Sequence, residues 1–144
     1  MSFDFRISEG DISIGANGDI AKVEDTEKLI QDILKIAITP LGGNPFYPWY
    51  GSPISKSLVG SPFPMEFISS VASSQLRNAL ETLMKLQKTQ IAAQIVSPFE
   101  QLAAIQETRI ERNQVDPRFF TVIIKVLTRA LTTAQTSFGF KPNL

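Results

Sequence analysis

Apolar positions recur along this chain in two rhythms, a period of two at both ends and a helical period between them. Near the start Phe3, Phe5 and Ile7 alternate with polar residues, as a half-buried strand requires. Glu9-Gly10-Asp11 marks a turn, and Ile12 and Ile14 resume the alternation. Ala16-Asn17-Gly18-Asp19 carries an Asn-Gly pair, the strongest short hairpin signal, and Ile20 and Val23 suit a third short strand. The expectation for this region is a small β-meander.

Residues 26–38 then read as a helix. Asp25 or Thr26 is placed to cap it, and Glu27 sits where the helix dipole favours an acid. Leu29, Ile30, Ile33, Leu34 and Ala37 make one apolar stripe, with Lys28, Gln31, Asp32 and Lys35 expected to face outward. Pro40 and Gly42-Gly43 end it. A second helix is expected over 65–88, with Phe67, Ile68, Val71, Ala72, Leu76, Ala79, Leu80, Leu83 and Met84 on its apolar face. Ser97-Pro98-Phe99-Glu100 has the form of a capping box with Pro at the first helical position, predicting a short helix over 98–104.

The alternation returns at Thr108 and Ile110, between Glu107, Arg109, Glu111 and Arg112, which reads as a strand with one wet face. Residues 119–128, F-F-T-V-I-I-K-V-L-T, are the strongest strand signal, and Thr136, Phe138 and Phe140 suggest a last strand within 132–140. Strands, two or three helices, then strands again predict an α+β fold: a mixed or antiparallel sheet with the helices packed on it, in one domain over 1–144.

The segment between the first two helices, Thr39 to Ser52 (T-P-L-G-G-N-P-F-Y-P-W-Y-G-S), fits neither rhythm. Its prolines and glycines exclude a helix or central strand, and its aromatics argue against a solvated linker. It reads as an ordered loop that either covers a satellite apolar cluster or presents Tyr and Trp to a partner.

Composition removes several chemistries. There is no histidine and no cysteine, so the commonest general base and metal ligands are missing and no disulfide can form. The acids do not follow a calcium-loop pattern, and Gly42-Gly43 follows a helix rather than opening one, unlike a phosphate-cradling loop. No cofactor is expected. Lys plus Arg and Asp plus Glu each number 14, a net charge of zero, which argues against a broad nucleic-acid-binding face. The opening M-S-F-D-F-R lacks a signal-peptide pattern, and no apolar run approaches the ~18 residues of a membrane span. The expectation is a soluble protein made and used without export, with neither nucleic acid nor membrane as partner.

Four blocks in order carry a family resemblance. These are G-D-I at 18–20, E-K-L-I-Q-D-I-L-K-I at 27–36, the Thr39–Ser52 block, and Asp116-Pro117-Arg118 leading into the β-branched strand. Together they resemble the baseplate wedge, or sheath-initiator, proteins of contractile-tailed phages (the baseplate assembly protein W family), related to a subunit of type six secretion baseplates. The resemblance implies a structural role in the virion tail, assembled in the bacterial host cytoplasm at about six copies per ring. It implies as partners the other wedge subunits, the tail sheath and the tail tube. It also implies templating of the first sheath ring by strand exchange.

The family's triplet is usually Glu-Pro-Arg and is implicated in holding the wedge bundle. Here Asp116 is one methylene shorter, and Arg118 keeps the planar fork able to pair with a carboxylate. The same triplet also suits a plain turn into a strand. Within the aromatic block, Asn44, Pro45, Tyr50 and Gly51 are expected to be mainly architectural, with Trp49 open to a neighbour.

Two other function classes are open. Proteins of this family have sometimes carried a lysozyme-like label, and a glycosidase needs two carboxylates across a cleft. Glu66, Glu81, Glu100, Glu107 and Asp116 are available, though nothing in the sequence pairs any two. A peptide- or helix-binding module would use only the aromatic loop and an open sheet edge.

Overall fold

The computed structural model describes residues 3–8, 11–12, 14, 18, 22–54, 65–112, 115 and 119–140. Among them the fold is α+β, with two helices and a three-stranded antiparallel sheet, preceded by four very short strands. The short strands are β1 (Asp4–Phe5), β2 (Ile7–Ser8), β3 (Asp11–Ile12) and β4 (Lys22–Val23). The helices are α1 (Asp25–Ile38) and α2 (Met65–Ala93). The main sheet is β5 (Leu102–Arg112), β6 (Phe120–Thr128) and β7 (Thr133–Phe140), in that spatial order.

The expected meander closes differently from a simple hairpin chain. β2 pairs β3, Ile7 opposite Ile12, whereas β4 pairs β1, Asp4 opposite Val23. Gly18 has φ +84, the left-handed conformation that an Asn-Gly turn demands, while Asn17 and Ile20 lie outside the described residues.

Helix α1 spans the expected range, but its start and one face differ from expectation. The N-cap is Glu24, without a side-chain cap bond, and Asp25 is the first helical residue at φ +54, so neither Asp25 nor Thr26 caps. Leu29, Ile33 and Ala37 are buried, as the stripe requires; Ile30 and Leu34 are half-buried, and Ile36, outside the expected stripe, is fully buried. The residues expected to face outward do not. Lys28 is buried, its ammonium 2.6 Å from Asp32 one turn on, and Gln31 and Lys35 are half-covered by the N-terminal strands. An i,i+4 pair can be taken into the interior because each charge satisfies the other.

The hydrophobic core lies between the helices and one face of the sheet. Helix α2 contributes Ala72, Leu76, Ala79, Leu80 and Leu83, and β6 contributes Phe120, Val122, Ile124 and Val126. Each fully buried aliphatic side chain here stabilises the fold by about 1.5–3 kcal/mol relative to exposure. Phe67, placed on the apolar face by periodicity, is exposed. The other face of the sheet is wet: Arg109 pairs with Glu107 at 3.6 Å and Glu111 at 3.0 Å. At the end of the core face Arg112, directly opposite Phe120, stacks over its ring and closes the core there. Gly139 has no side chain because the Phe119 ring occupies that space, 2.3 Å from where a Cβ would sit.

The short helix expected over 98–104 is absent. Ser97 opens a turn instead, its Oγ accepting from the Phe99 N–H at 3.3 Å and its carbonyl from the Glu100 N–H at 3.1 Å. The sheet wins the competition for these backbone groups. The Pro98 and Gln101 carbonyls accept from the N–H groups of Ala130 and Arg129 at 3.2 and 3.0 Å. Helix α2 adds a clamp: Gln87, buried, donates to the Glu100 carbonyl at 2.9 Å and accepts from the Leu102 N–H at 2.8 Å. The strand expected at 107–112 therefore begins five residues earlier, at Leu102, with two register shifts before Glu107.

The β6–β7 hairpin contains a left-handed leucine. The Leu131 N–H donates to the Thr128 carbonyl and the Thr128 N–H to the Thr132 carbonyl, each at 2.9 Å, the pattern of a type I turn with a G1 bulge. That geometry puts Leu131 at φ +64, where glycine is normally used. A leucine there costs roughly 1–2 kcal/mol of backbone strain. Leu131→Gly should raise stability in urea by about 1 kcal/mol, since the side chain is exposed and gives up little burial. A lower midpoint for the variant would refute the strained assignment.

Candidate interaction surface

The Thr39–Ser52 block forms a closed loop with a defined path. The Thr39 N–H caps α1 by donating to the Lys35 carbonyl at 3.1 Å, and the Thr39 hydroxyl donates to the same carbonyl. Three turns follow, with N–H donors Gly43, Tyr47 and Tyr50 bonding the Pro40, Asn44 and Tyr47 carbonyls at 2.9, 3.2 and 3.0 Å. Asn44 Oδ1 also accepts from the Phe46 N–H at 3.0 Å, the local bond that makes asparagine a turn residue. Ser52 donates back to the Thr39 carbonyl at 2.9 Å, and Pro40 and Ser52 form an isolated parallel bridge. Gly51 makes the closure possible. It sits at φ +117, and a Cβ there would lie 2.5 Å from the Thr39 carbonyl oxygen.

This frame sorts the aromatic residues. Tyr50 is half-buried against the core, whereas Phe46 is 85% exposed and Trp49 49%. Tyr47 and Trp49 pack edge to face, ring centroids 5.6 Å apart at 71°. Asn44, Tyr47, Trp49, Tyr50 and Leu86 of α2 line a hollow of about 330 Å³. Pro45 is exposed on the loop's outer side. Asn44 and Gly51 thus hold the loop, and Phe46, Tyr47 and Trp49 are its exposed aromatic side chains. Asp116, Pro117 and Arg118 lie outside the described residues.

Beneath the loop runs a network of charge. Lys35 pairs with Asp4 of β1 and lies 3.7 Å from Asp32. Gln31 donates to Asp4 Oδ2 at 2.9 Å and the Phe5 carbonyl at 2.7 Å, and accepts from the Ile7 N–H at 2.9 Å. One amide thereby fills the backbone edge of the N-terminal strands, and Arg6–Glu27 at 2.5 Å adds an exposed pair. Burial pushes the Asp4 carboxyl up, but bonding to Lys35 and Gln31 outweighs it and holds the group below its ordinary value. Lys35 is held above its ordinary value: burial opposes this, and Asp4 and Asp32 outweigh the burial. Burial pushes the Tyr50 phenol up.

The two outer edges of the main sheet are treated differently. Along β5, α2 supplies hydroxyls: Ser73 Oγ donates to the Thr108 carbonyl at 2.8 Å, with Ser69 3.5 Å from the Ile110 carbonyl. Along β7, no strand pairs with the outer edge among the described residues. The bulge at Leu131 sets which groups face out. Counting from it, Ala134, Thr136 and Phe138 bond back to β6, and Thr133, Gln135, Ser137 and Gly139 turn N–H and C=O away from the sheet. The strand T-A-Q-T-S-F-G-F carries no charge and no proline, the usual devices that blunt an edge.

Among the described residues, the candidate carboxylates are spread over α2, the turn that follows it and the main sheet. Glu66 and Glu81 are exposed on α2, roughly 22 Å apart at 1.5 Å per residue, beyond any glycosidase pair. Glu107 is paired with Arg109, Glu100 is buried under the Gln87 clamp, and Asp116 lies outside the described residues. Among the described residues no group of three or more acids could hold a metal ion, and no helix is long and apolar enough to cross a membrane.

The architecture has a solved counterpart. A provisionally named tail lysozyme from Geobacter sulfurreducens superposes at TM-score 0.61, over 82% of this chain and 91% of that one, with 13% sequence identity. What the two share is the fold. No family model matches the chain, and no curated protein matches it in sequence.

The network fixes a pH dependence. Asp4, lowered, contributes stability in full above its ordinary 3.8 and loses it as pH falls through the folded value. Lys35, raised, contributes in full below its ordinary 10.5 and loses it as pH rises through the folded value. The protection factor of the Ile7 amide, its exchange corrected for the intrinsic rate at each pH, should therefore be high at neutral pH and fall as pH drops below Asp4's ordinary 3.8, before the core opens. In Asp4→Asn that acid step should vanish; an unchanged step would remove Asp4 as its source.

Proposed function

We propose that this chain is a non-enzymatic structural subunit of a contractile-tail baseplate. It binds the wedge core bundle near the tail tube, at about six copies per ring, and starts the first ring of sheath subunits. The observation that carries the reading is the uncharged outer edge of β7. An edge of this kind takes up a partner's strand through backbone hydrogen bonds and needs no particular partner side chain. The likeness in fold to a tail protein supports the same setting, as do the motif blocks at 18–20, 27–36 and 39–52.

The wedge bundle is assigned to a different segment of the chain. Asp116-Pro117-Arg118 precedes β6, and Arg118 supplies a bidentate fork for a carboxylate or for helix-end carbonyls of the bundle. The aromatic loop, with Trp49 displayed on a frame held by Asn44 and Gly51, is a further contact for a neighbouring subunit. The glycosidase alternative has only the neighbour's name in its favour: Glu66 and Glu81 are spread along α2, Glu100 is buried and Glu107 is paired with Arg109.

Co-expression with candidate wedge and sheath proteins tests both contacts. Ser137→Pro removes one outward N–H without touching the β6 ladder, and should weaken sheath binding by about tenfold while leaving the wedge complex intact. Arg118→Ala should do the reverse. Sheath binding that survives Ser137→Pro unchanged would sink the strand-addition mechanism, and a chain binding neither partner would sink the baseplate role.

A further inference from the structure

We propose that the end of the sheet where α2, the Ser97–Gln101 turn and the β6–β7 hairpin meet is a docking surface for an acidic amphipathic helix of a partner protein. The first observation is Leu131. The hairpin needs a left-handed residue there, and the chain uses a leucine at φ +64 and leaves 79% of it exposed. Strain held where it also displays an apolar side chain points to a use for that side chain.

The surroundings extend the patch. Ile91, Ile95 and Phe99 are also exposed, Ile95 at 81%. They are held on one frame by the hairpin-to-turn bonds from Ala130 and Arg129 and by the Gln87 clamp from α2. The apolar groups are therefore presented by rigid backbone.

Charge selects the occupant. Lys88 and Arg129 flank a small cleft with Met84, Ile91 and Leu102, and Lys85 lies one turn earlier on α2. All three cations are exposed, and none has an ion pair among the described residues. The carboxylates nearest along the chain are Glu100, which is buried, and Glu81, exposed one turn before Lys85, so Lys88 and Arg129 are the cations with no exposed acid one turn away. An apolar patch with an uncompensated basic rim complements a segment carrying apolar residues flanked by acids. Backbone geometry favours a helix over a strand. The N–H groups of Thr128, Arg129, Ala130, Leu131, Glu100 and Leu102 are all engaged internally, which leaves side chains to make the contact.

The test uses a synthetic helical peptide of about 18 residues, with leucines on one stripe flanked by glutamates, titrated against the whole chain by fluorescence anisotropy. A counterpart with lysines in place of the glutamates is run in parallel. The acidic peptide should bind saturably and the basic one should not. Leu131→Gly and Lys88→Glu should each weaken binding by about tenfold, with the melting temperature of Leu131→Gly equal to or above that of the parent. Equal binding of both peptides, no binding, or binding indifferent to Leu131→Gly would overturn the proposal. So would a patch that instead takes up anionic phosphatidylglycerol vesicles, or that drives self-association by sedimentation, each lost on Leu131→Gly.

Discussion

The packing of α2 along β5 is the constraint on which the rest of the structure depends. A helix of 29 residues must bury Ala72, Leu76, Ala79, Leu80 and Leu83, and the inward side chains of β6 are the surface that accepts them. Lying there, α2 brings Ser73 to the outer carbonyl of Thr108 and Gln87 to the backbone at Glu100 and Leu102. One sheet edge is closed and the start of β5 is fixed by the same helix. The other edge is out of its reach. The asymmetry of the sheet follows from placing one long helix on three strands.

Helix α1 completes the core from the other side, packing on α2 and β7. It leaves a polar face that a free helix would give to water. The N-terminal strands cover part of that face through Asp4, Gln31 and Lys35, contacts that are polar nearly throughout. Phe3, Phe5 and Ile7 remain exposed above it. Attachment of this kind rests on charge and hydrogen bonds with little apolar burial, so it opens more easily than the core. The aromatic loop is held by the end of the same helix, which places Tyr50 against the core beside Lys35.

Much of this was legible in the sequence where burial and period agree. The β-branched, nearly continuous run over 119–128 predicted β6 to within a residue, and the 3.6 stripe of Leu29, Ile33 and Ala37 predicted the body of α1. The failures share a cause: a local signal was overridden by a distant partner. Ser97-Pro98-Phe99-Glu100 has the letters of a helix start, but Ala130 and Arg129 take its carbonyls into the sheet. L-A-A at 102–104 reads as the end of that helix and is strand because Leu102 is clamped by Gln87 and paired to Thr128. Lys28 and Asp32 read as solvated and are buried as a pair. For the candidate surfaces, Trp49 stood out by composition. The outward-facing positions of β7 did not, because they follow from the bulge at Leu131, a residue no turn rule would choose.

The central claim is that β7 presents an unpaired backbone edge. Residue-resolved amide exchange on the isolated chain tests it most directly. The account predicts strong protection at Ala134, Thr136 and Phe138, and fast exchange at Gln135 and Ser137, with the latter two slowing when a sheath subunit is added. Equal protection of Gln135 and Ser137 in the isolated chain would mean that the edge is already covered, and would contradict the account.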